Sequence, residues 1–299
     1  MKRTLYFGNP CYLKTKNDQL VIQLLEKEEL QEKSFPIEDL GLIVLDHPQI
    51  TIGHALLSKL LENNVALISC NSVHLPTGLM LNLDGSTLQS QKFRAQLNAS
   101  LPLKKQLWQQ TVTAKIANQL AVLDKLGRPT AYLQNLSGAV RSGDPENQEA
   151  KAASYYWKQL FGTDSGFVRD RFGSPPNNLL NYGYAILRAT VARALVGSGL
   201  LPTLGIFHRN QYNAYCLADD IMEPYRPWVD MLVFQLVRNR GHFLELSPDM
   251  KKQFLELPVM DVTIEGVTSP LTTAVSKTTA SLVKCFEGTE KKIIYPKFN

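Results

Sequence analysis

The sequence contains little cysteine, and the few cysteines are scattered. There are four among 299 residues, none in a C-x-x-C pair: Cys11, Cys70, Cys216 and Cys285. This spacing does not indicate a zinc site built from thiolates, and a chain of this length needs no disulfide framework to fold. A reduced, cytoplasmic setting is therefore expected.

Long apolar segments are also absent. The longest strongly apolar run after Arg193, ALVGSGLLPTLGIF, has fourteen residues and is broken by Pro202, so it is too short for a membrane span. The first residues, MKRTLYFGNP, lack the apolar segment and cleavage site of a signal peptide. No glycine-rich phosphate loop occurs, so ATP use is not expected. We expect no association with a membrane.

The remaining composition is that of an ordinary folded protein. Hydrophobic residues make up 44% and charged residues 20% of the chain. The formal net charge is +5, from 32 basic and 27 acidic residues. Such a charge permits binding to nucleic acid through local patches without requiring it.

Two kinds of hydrophobic pattern divide the chain. Short apolar or alternating segments typical of strands dominate the beginning, with one helical stripe at residues 50–64. From Gln89 onward the patterns are helical: a long one interrupted at Pro102, and others near 144–161, near 177–196, after Pro227, and at 271–286. We predict an α+β fold, with a β-rich N-terminal domain at residues 1–88 that contains one packed helix. An all-helical C-terminal domain follows at residues 89–299.

A glutamate lies on a helix face that is otherwise typical of a core. Glu149, Ala152, Ala153 and Tyr156 fall at i, i+3, i+4 and i+7 of a helix that Asp144 is expected to cap. A carboxylate left unpaired in a low-dielectric site costs several kcal/mol, so Glu149 needs a partner of opposite charge. A glutamate at the rim of the stripe, reaching water or a lysine, is an equally good interpretation.

Two later segments add further polar residues. His208 follows the apolar stretch LLPTLGIF, where a single histidine is more often a hydrogen-bonded core residue than a ligand. In LADDIMEPYRPW, Asp219, Asp220 and Glu223 lie on neighbouring turns, and like charges at this spacing cost a few tenths of a kcal/mol each on an exposed helix. A solvated acidic face relieved by arginines is the alternative.

Taken together, these segments supply the ligands of a hard cation. Glu149, His208 and Glu223, with Asp220 in a supporting position, form a set of oxygens and one imidazole. Oxygen ligands suit Mg²⁺ and Mn²⁺, and an imidazole favours Mn²⁺. Such a cation turns the repulsion between carboxylates into attraction and activates a hydroxyl or water against a phosphodiester. Spacing alone does not establish that the three segments meet.

Three motifs resemble a known family. They are EAKAASYYW at 149–157, LGIFHRNQYN at 204–213 and LADDIMEPYRP at 217–227, and they resemble the CRISPR-associated integrase that inserts new spacers, the near-universal first Cas protein. NNLLNYGYAIL and SKTTASLVKCF are similar to its type II variety. The resemblance covers nearly the whole chain. It implies a β-rich N-terminal domain that forms homodimers and a helical catalytic domain.

The resemblance also implies the site and the reaction. Glu149, His208 and Glu223 match the family's catalytic metal ligands, and Asp220 matches an acidic position that supports the site in some members. Many relatives have aspartate where Glu223 stands, and glutamate keeps the charge with a longer reach. The implied reaction is CRISPR adaptation, in which short DNA fragments are inserted into a CRISPR array by 3′-hydroxyl transesterification with Mg²⁺ or Mn²⁺.

The implied partners are double-stranded DNA, CRISPR repeat DNA and the small second Cas protein, with two homodimers of this chain around one companion dimer. Arg209 and Arg226 adjoin the predicted site and are candidates for DNA contacts, although Arg226 could instead pair with Asp219 or Asp220. Two other functions remain open. They are a metal-dependent nuclease that acts on branched DNA in repair, and a non-catalytic DNA-binding scaffold.

Overall fold

The computed structural model describes residues 2–24, 32–162, 165–240 and 246–299. Two four-stranded sheets and one helix make up the N-terminal part. Its elements are β1 (Arg3–Phe7), β2 (Cys11–Lys16), β3 (Gln19–Leu24), β4 (Glu32–Pro36), β5 (Leu40–Leu45), β6 (Ile50–Ile52), α1 (His54–Glu62), β7 (Ala66–Cys70) and β8 (Pro76–Met80).

The two sheets differ in their strand pairing. One has the order β1-β5-β7-β8, and its first three strands run parallel. The other has the order β4-β3-β2-β6, and β3 pairs antiparallel with both β2 and β4. Asn17 and Asp18, with φ of 51° and 57°, form the tight turn between β2 and β3, as these residue types favour.

The predicted N-terminal helix begins later than its apolar stripe suggested. Leu56 and Leu60 are fully buried, as the stripe requires, but Ile52 belongs to β6. The helix begins only at His54 because Gly53 still has extended backbone angles and donates its N–H to the carbonyl of Leu13 in the neighbouring strand.

The C-terminal part is mostly helical, as predicted. Its elements are α2 (Gln89–Leu97), α3 (Leu101–Lys125), α4 (Ala131–Ala139), α5 (Gln148–Phe161), α6 (Asn177–Gly197), α7 (Cys216–Met222), α8 (Arg226–Arg240), α9 (Pro248–Leu255), β9 (Asp261–Ile264), β10 (Val267–Pro270) and α10 (Leu271–Phe286). A short 3₁₀ turn, Glu223–Tyr225, joins α7 to α8. None of the helices in the described ranges is long and apolar enough to cross a bilayer.

The β9–β10 hairpin was not predicted and is an exception to the all-helical expectation. Its two strands are joined by Glu265 and Gly266, which have φ of 54° and 76° and make a tight turn. The break between α2 and α3 also differs slightly from the prediction. Pro102 lies inside the first turn of α3 and Ser100 caps that helix, since a proline in the first turn removes no needed hydrogen bond.

One sheet is packed on both faces. Ile43 and Leu67 point into a core shared with α1, whereas Leu42, Val44 and Ile68 belong to the large helical core, because successive strand residues face opposite sides. The helical core surrounds α3 and α6, which supply many of its fully buried residues. The division into domains at 1–88 and 89–299 stays a prediction.

Candidate active site

Glu149 lies in the first turn of α5, on the edge of the core. Ala152 and Tyr156 are fully buried, as the spacing predicted, whereas the side chain of Glu149 keeps 18% of its surface exposed. Asp144 does cap the helix, but from outside its first turn. Its two carboxylate oxygens accept the N–H groups of Gln148 and Glu149 at 2.9 and 3.0 Å, so the helix begins at Gln148 rather than directly after Asp144.

One lysine links the two predicted glutamate ligands. The Nζ atom of Lys115 lies 2.7 Å from Oε1 of Glu149 and 2.6 Å from Oε2 of Glu223. Burial lowers the pKa of Lys115, but the two carboxylates outweigh this effect and raise it. The expected partner of opposite charge for Glu149 is therefore a buried lysine, and it contacts Glu223 as well.

Sequence analysis did not identify Lys115, although its position carried a signal. Trp108, Thr111, Val112 and Lys115 follow one another at helical spacing, and all are buried on the inner face of α3. A lysine in the middle of such a stripe needs a buried acid. Which acid it meets depends on the packing of α3 against α5 and the 3₁₀ turn, and local sequence does not fix that packing.

Glu223 is held between two cations. Its Oε1 forms an ion pair with Nη2 of Arg226 at 2.8 Å, and its Oε2 forms one with Nζ of Lys115 at 2.6 Å. Burial raises the pKa of Glu223, but the charges of Arg226 and Lys115 outweigh it and hold the pKa below its usual value. Arg226 also lies over the ring of Tyr184, 4.7 Å from its centroid. The alternative pairing of Arg226 with Asp219 or Asp220 is not observed.

His208 is fixed by Asp220. Its Nδ1 lies 2.5 Å from Oδ1 of Asp220, a side chain with no exposed surface. Asp220 also accepts the backbone N–H groups of Phe207 and His208, at 2.9 and 3.3 Å. The bond to Asp220 raises the pKa of His208. With Nδ1 engaged, Nε2 is the nitrogen that can bind an ion, which is the arrangement of a carboxylate–histidine–metal site.

Aromatic packing and a glycine position the loop that carries His208. Trp108 stacks on Phe207 with ring centroids 4.2 Å apart and meets the His208 ring edge-on at 5.6 Å. At Gly205 an added Cβ would lie 2.4 Å from the carbonyl oxygen of His208 and 2.7 Å from Oδ2 of Asp220, so any larger residue displaces the loop.

The site residues are neighbours, but they do not form a closed ligand set. The charges of Glu223 and Glu149 both act on His208. Within residues 2–24, 32–162, 165–240 and 246–299, no three His, Cys, Asp or Glu side chains are placed to hold a metal ion. However, Oε2 of Glu223 is buried and Lys115 beside it is not aligned as a hydrogen-bond donor. Two carboxylates around one cation and an oriented imidazole are chemically suited to Mg²⁺ or Mn²⁺.

The two arginines predicted to contact DNA differ in exposure. Arg209 is exposed and lines a cleft of about 360 Å³ together with His208, Lys104 and Asn210. Arg226 forms an ion pair with Glu223 and lies over the ring of Tyr184. Neighbouring Asp219 pairs with Arg188 at 2.6 Å.

Comparison with known proteins places the chain among its relatives. Residues 5–245 match the family described as CRISPR associated protein Cas1. The CRISPR-associated endonuclease Cas1 of Neisseria meningitidis serogroup C is 39% identical over 265 residues, covering 88% of this chain and 85% of that protein.

Solved structures share the fold. A casposase bound to integration product gives a TM-score of 0.80 at 21% identity, covering 98% of this chain and 92% of that one. A chain of a Cas6-RT-Cas1–Cas2 complex gives 0.74 at 19% identity, covering 97% of this chain and 35% of that one. These matches confirm the α+β fold and the resemblance found in the motifs. The chain belongs to the CRISPR-associated Cas1 family.

Proposed function

We propose that this protein is a metal-dependent DNA endonuclease and integrase that inserts short DNA fragments as new spacers into a CRISPR array. The observation that carries the proposal is a cluster of side chains. In it, Glu149 and Glu223 both contact the ammonium of Lys115, beside the His208–Asp220 pair. Membership of the Cas1 family supports it, as do an endonuclease relative and a casposase neighbour named for its integration product.

In this proposal Glu149, His208 and Glu223 hold Mg²⁺ or Mn²⁺. When bound, the cation polarises a phosphodiester and lowers the pKa of the attacking 3′-hydroxyl or water. Asp220 holds His208 through Nδ1, which directs Nε2 to the ion. No side chain needs to become a covalent nucleophile, because the protein has to align hydroxyl and phosphate and stabilise the developing charge.

DNA is proposed to approach through the cleft beside His208. Arg209 is exposed there and is the proposed phosphate contact. Arg226 is also a predicted DNA contact, but its pairing with Glu223 supports a role in holding that carboxylate in place.

The proposed assembly contains two homodimers of this chain around a dimer of the small second Cas protein, with double-stranded DNA and the CRISPR repeat bound across it. The structural neighbour in a Cas6-RT-Cas1–Cas2 complex supports the pairing with the second Cas protein. We place the reaction in the cytoplasm.

An integration assay tests the proposed reaction. The protein and its companion are mixed with a short duplex bearing free 3′-hydroxyls and a plasmid that carries the repeat, with Mn²⁺ or with EDTA. Metal-dependent joining is expected, and Glu149→Ala and His208→Ala should abolish it. His54→Ala is the control, because His54 is exposed at the start of α1.

Other outcomes of the assay favour the alternatives. When a branched DNA is added as a further substrate, its cleavage with no joining to the repeat favours a repair nuclease. DNA binding without any metal-dependent reaction favours a non-catalytic scaffold. Full activity in either site variant contradicts the assignment of the ligands.

A further inference from the structure

Lys115 occupies the position between the two carboxylates that the proposed function assigns to a metal. Its ammonium contacts Oε1 of Glu149 at 2.7 Å and Oε2 of Glu223 at 2.6 Å. The Lys115 side chain keeps only 10% of its surface exposed and that of Glu223 only 4%. The other oxygen of Glu223 is bound by Arg226, so the cluster has two negative and two positive charges.

The Lys115 ammonium reduces the repulsion between the two carboxylates in the metal-free protein. Two carboxylates close together in a poorly solvated site repel each other, and each loses hydration that it must regain from a partner. The Lys115 ammonium supplies that partner for both. It therefore fixes the spacing of Glu149 and Glu223 in the metal-free protein.

The same contacts oppose metal binding. Oε2 of Glu223 and Oε1 of Glu149 face the ammonium, so an ion that takes these oxygens must displace Lys115. Replacing the ammonium by a divalent cation, with Arg226 still in place, changes the net charge of these groups from neutral to +1. The site can accept that charge when the phosphate of DNA is present.

We propose that Lys115 is a positioning residue, a built-in counter-cation that holds Glu149 and Glu223 in place without metal and leaves their oxygens when a divalent cation binds. The inference rests on the proposed function, because it takes these two glutamates as metal ligands. It predicts that the ammonium stabilises the metal-free protein and weakens its affinity for metal.

Lys115→Met tests both effects. In EDTA the variant leaves the buried carboxylate of Glu223 and the partly buried one of Glu149 with one cation, and its Tm should fall by roughly 5 to 10 °C. The Kd for Mn²⁺, measured by electron paramagnetic resonance without DNA, should fall about tenfold or more because the competitor is gone. Added Mn²⁺ should also raise the Tm of the variant more than that of the wild type.

Two further variants guard against a folding artefact. Lys251→Met removes another buried ammonium, 2.7 Å from Asp46, and should lower the Tm while leaving the Kd for Mn²⁺ unchanged. The double variant of Glu149→Gln and Lys115→Met has one fewer unpaired carboxylate than Lys115→Met alone. In the Glu149→Gln background, Lys115→Met should therefore lower the metal-free Tm by less than it does in the wild type.

The outcomes separate this inference from the proposed function. Mn²⁺ binding that is tighter in Lys115→Met, or seen only in that variant, supports the displacement of Lys115. Binding by the wild type that is equal or weaker in Lys115→Met overturns the inference and leaves the metal site standing. No binding by either protein, with or without a short DNA duplex, overturns the metal site and the inference together.

Discussion

Replacing Asp220 by asparagine tests how His208 is held. Asp220 is fully buried and its Oδ1 lies 2.5 Å from Nδ1 of His208. Asparagine has the same shape and can still accept the N–H of Phe207, which Oδ2 accepts at 2.9 Å. Its amide nitrogen, however, donates to Nδ1, and the proton of a neutral imidazole then moves to Nε2. The nitrogen proposed to bind the metal is thereby blocked.

The expected loss of metal affinity in Asp220→Asn follows from the role of residues that orient a histidine ligand. Loss of the group that orients a histidine ligand lowers metal affinity or activity by about 10- to 100-fold, which corresponds to roughly 1.4 to 2.7 kcal/mol. In the integration assay, the Mn²⁺ concentration for half-maximal rate should rise by that factor in Asp220→Asn. The Tm should change little, because the hydrogen bond from the N–H of Phe207 persists and only the longer one from the N–H of His208, at 3.3 Å, is lost.

Asp219→Asn is the matched control. Asp219 is adjacent in sequence, but it binds Arg188 at 2.6 Å and Asn213 at 2.7 Å and does not contact His208. Its half-maximal Mn²⁺ concentration should stay close to that of the wild type. An Asp220→Asn protein with normal Tm and normal Mn²⁺ dependence would refute the reasoning.

Three further predictions concern stability and loop geometry. Burial raises the pKa of Asp230 to about 7, so the folded protein favours the protonated carboxyl. The stability that this group contributes is fully present below pH ~4, the ordinary pKa of aspartate, and is lost as pH rises through 7. Asp230→Asn, which keeps an acceptor for the Tyr184 hydroxyl, should therefore gain Tm over the wild type between pH 4 and 7, and a gain independent of pH contradicts this. Lys251→Met leaves the buried Asp46 without this lysine and should lower the free energy of unfolding by about 3 to 5 kcal/mol. Chemical denaturation measures this, and an unchanged denaturation midpoint contradicts it. Gly205→Ala, whose Cβ would lie 2.4 Å from a backbone oxygen, should slow integration about 100-fold, and a rate within twofold of the wild type contradicts it.

The sequence predicted best those elements whose pattern is local. The helix at Leu271–Phe286 has the bounds that periodicity indicated, and α6 differs by one residue at its end. The β9–β10 hairpin was missed because each strand has only four residues, too few for alternation to stand out beside two helices. The start of α5 was misplaced because Asp144 caps it from four residues before its first residue.

Pairing across distant segments was the part that the sequence could not supply. The stripe containing Glu149 indicated a counter-charge as one of two interpretations, but it could not identify Lys115, which lies 34 residues away on another helix. Likewise, the alternative to a DNA contact for Arg226 was a pairing with Asp219 or Asp220, whereas its guanidinium pairs with Glu223, three residues before it. Glu223 lies in the 3₁₀ turn Glu223–Tyr225 and Arg226 begins α8. The proximity of opposite charges in sequence does not reveal which carboxylate faces which cation.

A crystal structure of the protein grown with Mn²⁺ and examined by anomalous scattering is the most direct test of the central claim. We expect a Mn²⁺ ion bound by Glu149, Glu223 and Nε2 of His208, at ligand distances of roughly 2.0 to 2.3 Å. An ion bound elsewhere, or three side chains that remain unbound at saturating Mn²⁺, would contradict it.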